Sequence, residues 1–219
     1  MKMTQAVKRS RLFRIVPLLL TISRLFIAPL FYVFYAKYAA LGIPFFVVPF
    51  VLFGLLVYSE LTDFLDGFLA RRYNLVSELG KLLDPMADSI TRISILFILT
   101  QGVVGVPIYW VLLILYRDLI ISTLRTLCAL GGLNLAARMS GKLKAAIQGV
   151  VTFVIVILMI PYSFGVLPLS ILKIVSKVLV GLASGYTIFS GLEYLYANRG
   201  VLKQFWPYSQ SGSAETKDS

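Results

Sequence analysis

Histidine is absent from this 219-residue chain, which excludes a histidine-assisted nucleophile relay and a histidine zinc site. There is one cysteine, Cys128, so no intrachain disulfide forms; set in an apolar stretch, it is expected to pack as a small hydrophobe. Charge is also scarce: 14% of residues are Asp, Glu, Lys or Arg, against 58% hydrophobic. A soluble domain of this size needs more polar surface than that to cover its core. Acidic residues are the scarcest, ten against 21 basic, giving a net charge of +11. In so apolar a chain, basic residues mark cytoplasmic loops and contacts with anionic membrane lipids, and no nucleic-acid partner is expected.

What the chain does have is long apolar runs, with a mean hydropathy of +0.86. A spanning helix needs about 20 mostly apolar residues. Six segments qualify, at roughly 16–37, 44–71, 84–101, 107–130, 142–163 and 168–197. Gly42 with Pro44, Gly102 to Pro107, Gly131 with Gly132, and Pro161 to Pro168 separate them. The expected fold is all-α: a polytopic membrane bundle of about six transmembrane helices with a cytoplasm-facing active site. Residues 1–200 form a single domain, with 1–15 a basic surface segment and 201–219 a polar, unpatterned tail. The opening stretch resembles a signal peptide, but Arg24 interrupts its apolar run and no small-residue cleavage site follows. It therefore reads as a retained segment entering the first helix. With both termini inside, the inner segments hold Arg71, Arg72, Lys81, Arg138, Lys142, Lys144, Arg199 and Lys203, while the outer connections hold Lys37 and little else. Lys173 and Lys177 are the exceptions.

The few carboxylates are not scattered. Glu60, Asp63, Asp66, Glu78, Asp84 and Asp88, six of the ten acidic residues, fall between positions 59 and 92. Asp63 and Asp66 lie near the cytoplasmic end of the second helix, and Asp84 and Asp88 near the start of the third. Spacings of i, i+3 and i, i+4 put each pair on one helix face. Two adjacent antiparallel helices would then aim four carboxylates at one point. Such a cluster at membrane depth requires protonation or intervening cations. All-oxygen ligands suit hard ions, and a pair of them clamps a phosphoryl group during displacement. Gly67, Ala70 and Gly80 are small enough for close packing or for a flat ligand to approach the backbone. Arg71, on the same flank, is suited to phosphate oxygens. Glu60 and Glu78 read as interfacial solubilisers.

The run Asp63-x-x-Asp66-Gly67-x-x-Ala70-Arg71, then Gly80, Asp84 and Asp88, resembles the complete signature of the CDP-alcohol phosphatidyltransferases. The resemblance implies a six-helix membrane enzyme that displaces CMP from a CDP-linked donor with an alcohol hydroxyl. It implies two divalent cations, Mg²⁺ or Mn²⁺, on Asp63, Asp66, Asp84 and Asp88, with Asp88 also the catalytic general base. It further implies a nucleotide site formed by Gly67, Ala70, Arg71, Gly80 and Thr21.

The stretches LTISRLFIAPLF (20–31) and YRDLIISTLRTLCALGGLNLAARMSGKLKAAIQ (116–148) are similar to the phosphatidylglycerophosphate synthase branch of that family. That likeness implies CDP-diacylglycerol and glycerol 3-phosphate as substrates. Arg117 and Arg125, eight apart and close to one helix face, stand inside an apolar run, where arginines usually line a cavity. With Lys142 they make a cationic pocket suited to an acceptor that carries phosphate. Lys144 is expected to tolerate replacement if it meets only lipid headgroups, and Asp118 either to hold one of the arginines in place or to pair with a lipid-side base. Leu18 and Ser89 stand where the branch commonly has Asn and Lys, which leaves inositol phosphate as an alternative acceptor. A cation transporter is the alternative of a different class; it would place its acids near the bilayer midplane between repeats, and no repeat is visible. Membrane lipids are expected partners, and a homodimer through the third and fourth helices is an expectation carried only by scattered small residues.

Overall fold

The computed structural model describes residues 19–73, 78–130 and 139–200. The basic segment 1–15 and the tail 201–219 lie outside the described residues, as do the side chains at 69–71, 73 and 78–82. The described residues form helices and turns only. In chain order these are α1 (Leu19–Ala36), a 3-10 turn at Phe45–Val47, α2 (Val48–Tyr73), α3 (Glu78–Ile98), α4 (Ile108–Leu130), α5 (Met139–Ser163) and α6 (Leu169–Ala197). The expected segment boundaries hold to within a few residues, except at α3. Proline is tolerated best in a helix's first turn, so a helix carrying Pro85 would be expected to begin close to it. The helix instead reaches back to Glu78 and carries Pro85 inside it.

Side-chain pairs fix the directions. Between α1 and α2 the partners run oppositely, Ser23 with Tyr58, Arg24 with Asp63, and Thr21 with Asp66, so the helices are antiparallel. Between α1 and α3 they ascend together, Thr21 with Asp84, Arg24 with Asp88 and then Thr91, so these two are parallel. Phe53 meets Phe153, and Phe45 meets Tyr162, which sets α2 antiparallel to α5. The chain therefore threads up and down. The ends of α2, α4 and α6 come together with the starts of α1, α3 and α5.

The close helix pairs correct one expectation. α1 packs on both α2 and α3, whereas α2 and α3 are not among the closely packed pairs of the described residues. The two acidic helices meet through α1 rather than face to face. α1 is itself bent there. Pro29 has no N–H to give the carbonyl of Leu25, and the helix breaks at Phe26, whose N–H turns back to Ser23 instead. The hydroxyl of Thr91 donates to the carbonyl of Arg24 just before the bend, at 3.1 Å.

The surface is that of a membrane protein. On α6 the inward residues include Ser176, Ser184, Thr187, Ser190 and Gly191, whereas Ile174, Val178, Leu182 and Phe189 face outward and are exposed. Large apolar groups outside and small polar groups between helices is the arrangement that a lipid solvent favours. α1, the stretch Phe45–Phe68, α5 and α6 are each long and apolar enough to cross a bilayer. α3 and α4 have the length but carry the charges: Asp84, Asp88 and Arg92 on one, Arg117, Asp118 and Arg125 on the other. The protein is a polytopic integral membrane protein.

Candidate functional site

The expected convergence is found, with one unexpected member at its centre. Asp63 and Asp66 project from α2, and Asp84 and Asp88 from α3, around the guanidinium of Arg24 on α1. Arg24 is fully buried. Its Nη1 donates to Asp63 Oδ1 at 2.5 Å and to Asp88 Oδ1 at 2.6 Å. Its Nη2 donates to Asp66 Oδ2 at 2.7 Å and stands 3.8 Å from Asp84 Oδ1. The second oxygen of Asp88 is 3.3 Å from Arg92, one helical turn on. Thr21, one turn before Arg24, donates to Asp84 at 2.5 Å and lies 3.3 Å from Asp66. With the guanidinium between them, no three of the described acidic side chains stand close enough together to share one ion.

These distances follow from the helices. Residues three or four apart share a face, so Asp63 with Asp66, Asp84 with Asp88, and Thr21 with Arg24 each form a stripe. Parallel packing of α1 on α3 and antiparallel packing on α2 bring the three stripes together. Four carboxylates in a bilayer repel one another strongly, and the guanidinium between them supplies compensating charge through short, charge-assisted contacts.

Other expected site residues belong to the same two helices. Gly67 follows Asp66 on α2, and Gly80 sits in the first turn of α3. Ala70 and Arg71 lie toward the end of α2, and their side chains are outside the described residues. Glu60 is exposed, as expected of an interfacial acid, and also lines a cavity of about 20 Å³ with Asp88, Arg92, Thr91 and Gly149, room for about one water.

The cationic residues of α4 and α5 divide into two groups. Arg117 donates to Ser190 at 2.7 Å and lies 3.3 Å from Asp118; its stem rests on Gly191, where a Cβ would stand 2.9 Å away. Lys144 is buried and holds both oxygens of Asp118, at 2.5 and 2.6 Å. Arg125 is exposed, its guanidinium 5.6 Å from the centre of the Tyr194 ring. Lys142 lines an open groove with Tyr186, Phe189 and Glu193 between α5 and α6, and none of the four aspartates lines that groove.

Lys144 thus fails the condition for tolerating replacement, that it meets only lipid headgroups. Asp118 steadies the lysine as well as Arg117. Removing one partner of a buried ion pair leaves the other charge uncompensated, at a cost of about 3–5 kcal/mol. Lys144→Met is therefore expected to lower unfolding stability by about that amount in detergent, which thermal unfolding of the purified protein checks. A melting temperature equal to the parent's would show that Asp118 needs only Arg117.

Two members of the aspartate site, Arg24 and Arg92, were not anticipated. Arg24 did carry a signal, since an arginine inside an apolar helix faces the bundle interior by preference. Arg92 carried a weaker one, being four residues beyond Asp88.

Comparison with known proteins gives the geometry a context. The family model described as CDP-alcohol phosphatidyltransferase matches residues 14–188. The CDP-diacylglycerol–glycerol-3-phosphate 3-phosphatidyltransferase of Bacillus subtilis is 32% identical over 149 residues, covering 68% of this chain and 74% of that protein. The protein of the same name in Rickettsia prowazekii is 31% identical over 194 residues, 85% of this chain and 97% of its own. That of Rickettsia typhi is 32% identical over 188 residues, 83% and 95%.

Proposed function

The chain belongs to the CDP-alcohol phosphatidyltransferase family, and from that premise we propose that it transfers the phosphatidyl group of CDP-diacylglycerol to glycerol 3-phosphate, yielding phosphatidylglycerol phosphate and CMP. The observation that carries this reading is the convergence of Asp63, Asp66, Asp84 and Asp88 around a cation at one end of the bundle. The names of the three relatives support the donor and the acceptor.

The donor set fits hard divalent ions. It is all oxygen, drawn from two helices, and it already surrounds one positive group. Asp63, Asp66, Asp84 and Asp88 would hold two ions, Mg²⁺ or Mn²⁺, which when bound neutralise charge on the diphosphate as CMP departs. The chain's own groups do the rest. Asp88 accepts the proton of the acceptor hydroxyl. The hydroxyl oxygen bonds to the phosphorus that carries the diacylglycerol, the anhydride bond breaks, and CMP leaves with the electron pair. Arg71 pairs with phosphate oxygens; Gly67, Ala70 and Gly80 admit the nucleotide beside the backbone, and Thr21 orients two of the carboxylates. No covalent enzyme intermediate is needed. The enzyme acts in a bacterial cytoplasmic membrane with both termini inside, where the basic residues near the site end of the helices belong.

For the acceptor's phosphate we propose the exposed pair Arg125 and Lys142, with Arg117 kept inside on Ser190 and Asp118. Replacing Arg125 or Lys142 with Gln is expected to raise the KM for glycerol 3-phosphate roughly tenfold to a hundredfold, the worth of one charge-assisted contact, and to leave that for CDP-diacylglycerol nearly alone. Arg125→Lys is impaired too if the contact is a fork. Unchanged acceptor KM in both Gln variants would remove these residues from the pocket.

The deciding experiment is CMP release from CDP-diacylglycerol by purified protein, with glycerol 3-phosphate, inositol phosphate or no acceptor. Release with glycerol 3-phosphate alone supports the proposal. Release with inositol phosphate alone replaces the acceptor, and no release with any alcohol refutes the transferase reaction proposed here.

A further inference from the structure

Arg24 and divalent ions want the same atoms. The guanidinium takes Asp63 Oδ1, Asp66 Oδ2 and Asp88 Oδ1, one oxygen from each of three carboxylates, and stands between them and Asp84. An ion such as Mg²⁺ needs carboxylate oxygens at about 2.0–2.1 Å in near-ideal geometry. A planar guanidinium and an ion cannot both sit at the focus of these oxygens. The grip of the arginine is also incomplete. Its contact with Asp84 exceeds hydrogen-bond length, and its Nε is buried without an acceptor among the described residues.

The described cations do not balance the cluster. Among the described residues Arg24 and Arg92 bring two positive charges to four carboxylates. Without Arg24, three of these acids would have no arginine partner among the described residues, in a chain whose α1 and α2 are apolar enough to cross the bilayer. Of these, Asp66 is buried, and a buried carboxylate left unpaired is strongly destabilising; Asp63 and Asp84 are partly open to solvent.

We propose that Arg24 is the resident cation of the ion-free site. It holds α1, α2 and α3 together before metal arrives, and it sets the ion affinity by competing for the inward oxygens. Ions bind by displacing its guanidinium, so the chain trades tightness of binding for a fold that survives without metal. This inference rests on the divalent-ion reading above.

The test is Mn²⁺ binding, followed by the loss of the free-ion electron paramagnetic resonance signal as Mn²⁺ is titrated into chelator-treated, full-length protein in detergent. Thermal unfolding is recorded with and without Mn²⁺. Arg24→Gln is expected to bind Mn²⁺ about tenfold more tightly or better, since ions no longer displace a charge-assisted contact. Its melting temperature is expected to fall in the ion-free form and to approach the parent's when Mn²⁺ is saturating. Arg24→Lys keeps the charge without the fork, and its affinity should fall between the two. Should the Gln variant fail to fold, tighter binding by the Lys variant than by the parent carries the inference. Unchanged or weaker Mn²⁺ binding in the variants that fold overturns it, because Arg24 would then be positioning the carboxylates for ions. A parent that binds no Mn²⁺ at all overturns the divalent-ion reading and this inference together.

Discussion

CMP release is expected to fall to background in excess EDTA and to return when Mg²⁺ or Mn²⁺ is added back. The cause lies in charge. A CDP-linked donor brings a negative diphosphate toward Asp63, Asp66, Asp84 and Asp88, four carboxylates that share Arg24 and Arg92 as their described ion-pair partners. Two like charges about 4 Å apart repel by about 4 kcal/mol at an effective dielectric of 20. Several such pairs would keep the diphosphate out altogether, and two guanidinium groups do not offset them. Added divalent charge reverses the sign of the site. Loss of activity must be separated from loss of fold, so circular dichroism and thermal unfolding accompany the assay. With Arg24 in place the EDTA-treated protein is expected to stay helical. Full turnover in EDTA would remove divalent ions from the reaction, and the carboxylates would then need another explanation.

How much of this was written in the sequence varies from residue to residue. The helices were, because apolar runs of bilayer length bounded by Gly and Pro leave few alternatives, and five of the six boundaries fall within a few residues of their expected places. The sharing of faces was also legible, since i, i+3 and i, i+4 spacings are properties of a single helix. What a single helix cannot show is which third element enters between two others. Asp63 and Asp66 are expected to converge with Asp84 and Asp88 from two adjacent helices, with cations or protons between them. The cation found there is Arg24, delivered with Thr21 by α1, which packs on both helices. That depends on packing between distant segments, on which hydropathy is silent.

Lys142 and Lys144 show a different kind of miss. Both fall at the start of the expected segment 142–163 and both lie within α5, yet their surroundings differ. Residues two apart on a helix of 3.6 residues per turn differ by about 200° in direction. One lysine therefore faces the Asp118 pair inside the bundle and the other the groove toward α6. That opposition follows from the two-residue spacing alone, but which of the two directions leads inward depends on packing against α4 and α6, on which spacing is silent. Glu60 is exposed, as an interfacial acid should be, and only the approach of α5 at Gly149 places it beside the cavity that Asp88 also lines.

Asp88→Asn is expected to lower turnover by about 10²–10⁴-fold, the usual contribution of a positioned general base, while CDP-diacylglycerol binding stays within severalfold of the parent. The geometry makes the substitution a clean one. Asp88 Oδ1 accepts from Arg24 at 2.6 Å, and an asparagine of the same shape keeps an oxygen in that place. The other oxygen faces Arg92 at 3.3 Å, a longer contact whose loss perturbs the site less. What the amide cannot do is take a proton from the acceptor hydroxyl. The loss should therefore appear in kcat, with kcat/KM for the acceptor falling in parallel, since the interaction removed belongs to the transition state. Asp88 is also one of the four proposed ion ligands, so the assay is run across a range of Mn²⁺ up to saturation. If high Mn²⁺ restores turnover to near the parent's, Asp88 serves as a ligand alone and the proton goes elsewhere. If turnover stays low at saturating Mn²⁺ with donor affinity intact, proton acceptance is the function that was lost. Glu60, across the water-sized cavity, is the next group to test should Asp88→Asn remain active, because it is the other carboxylate lining that cavity.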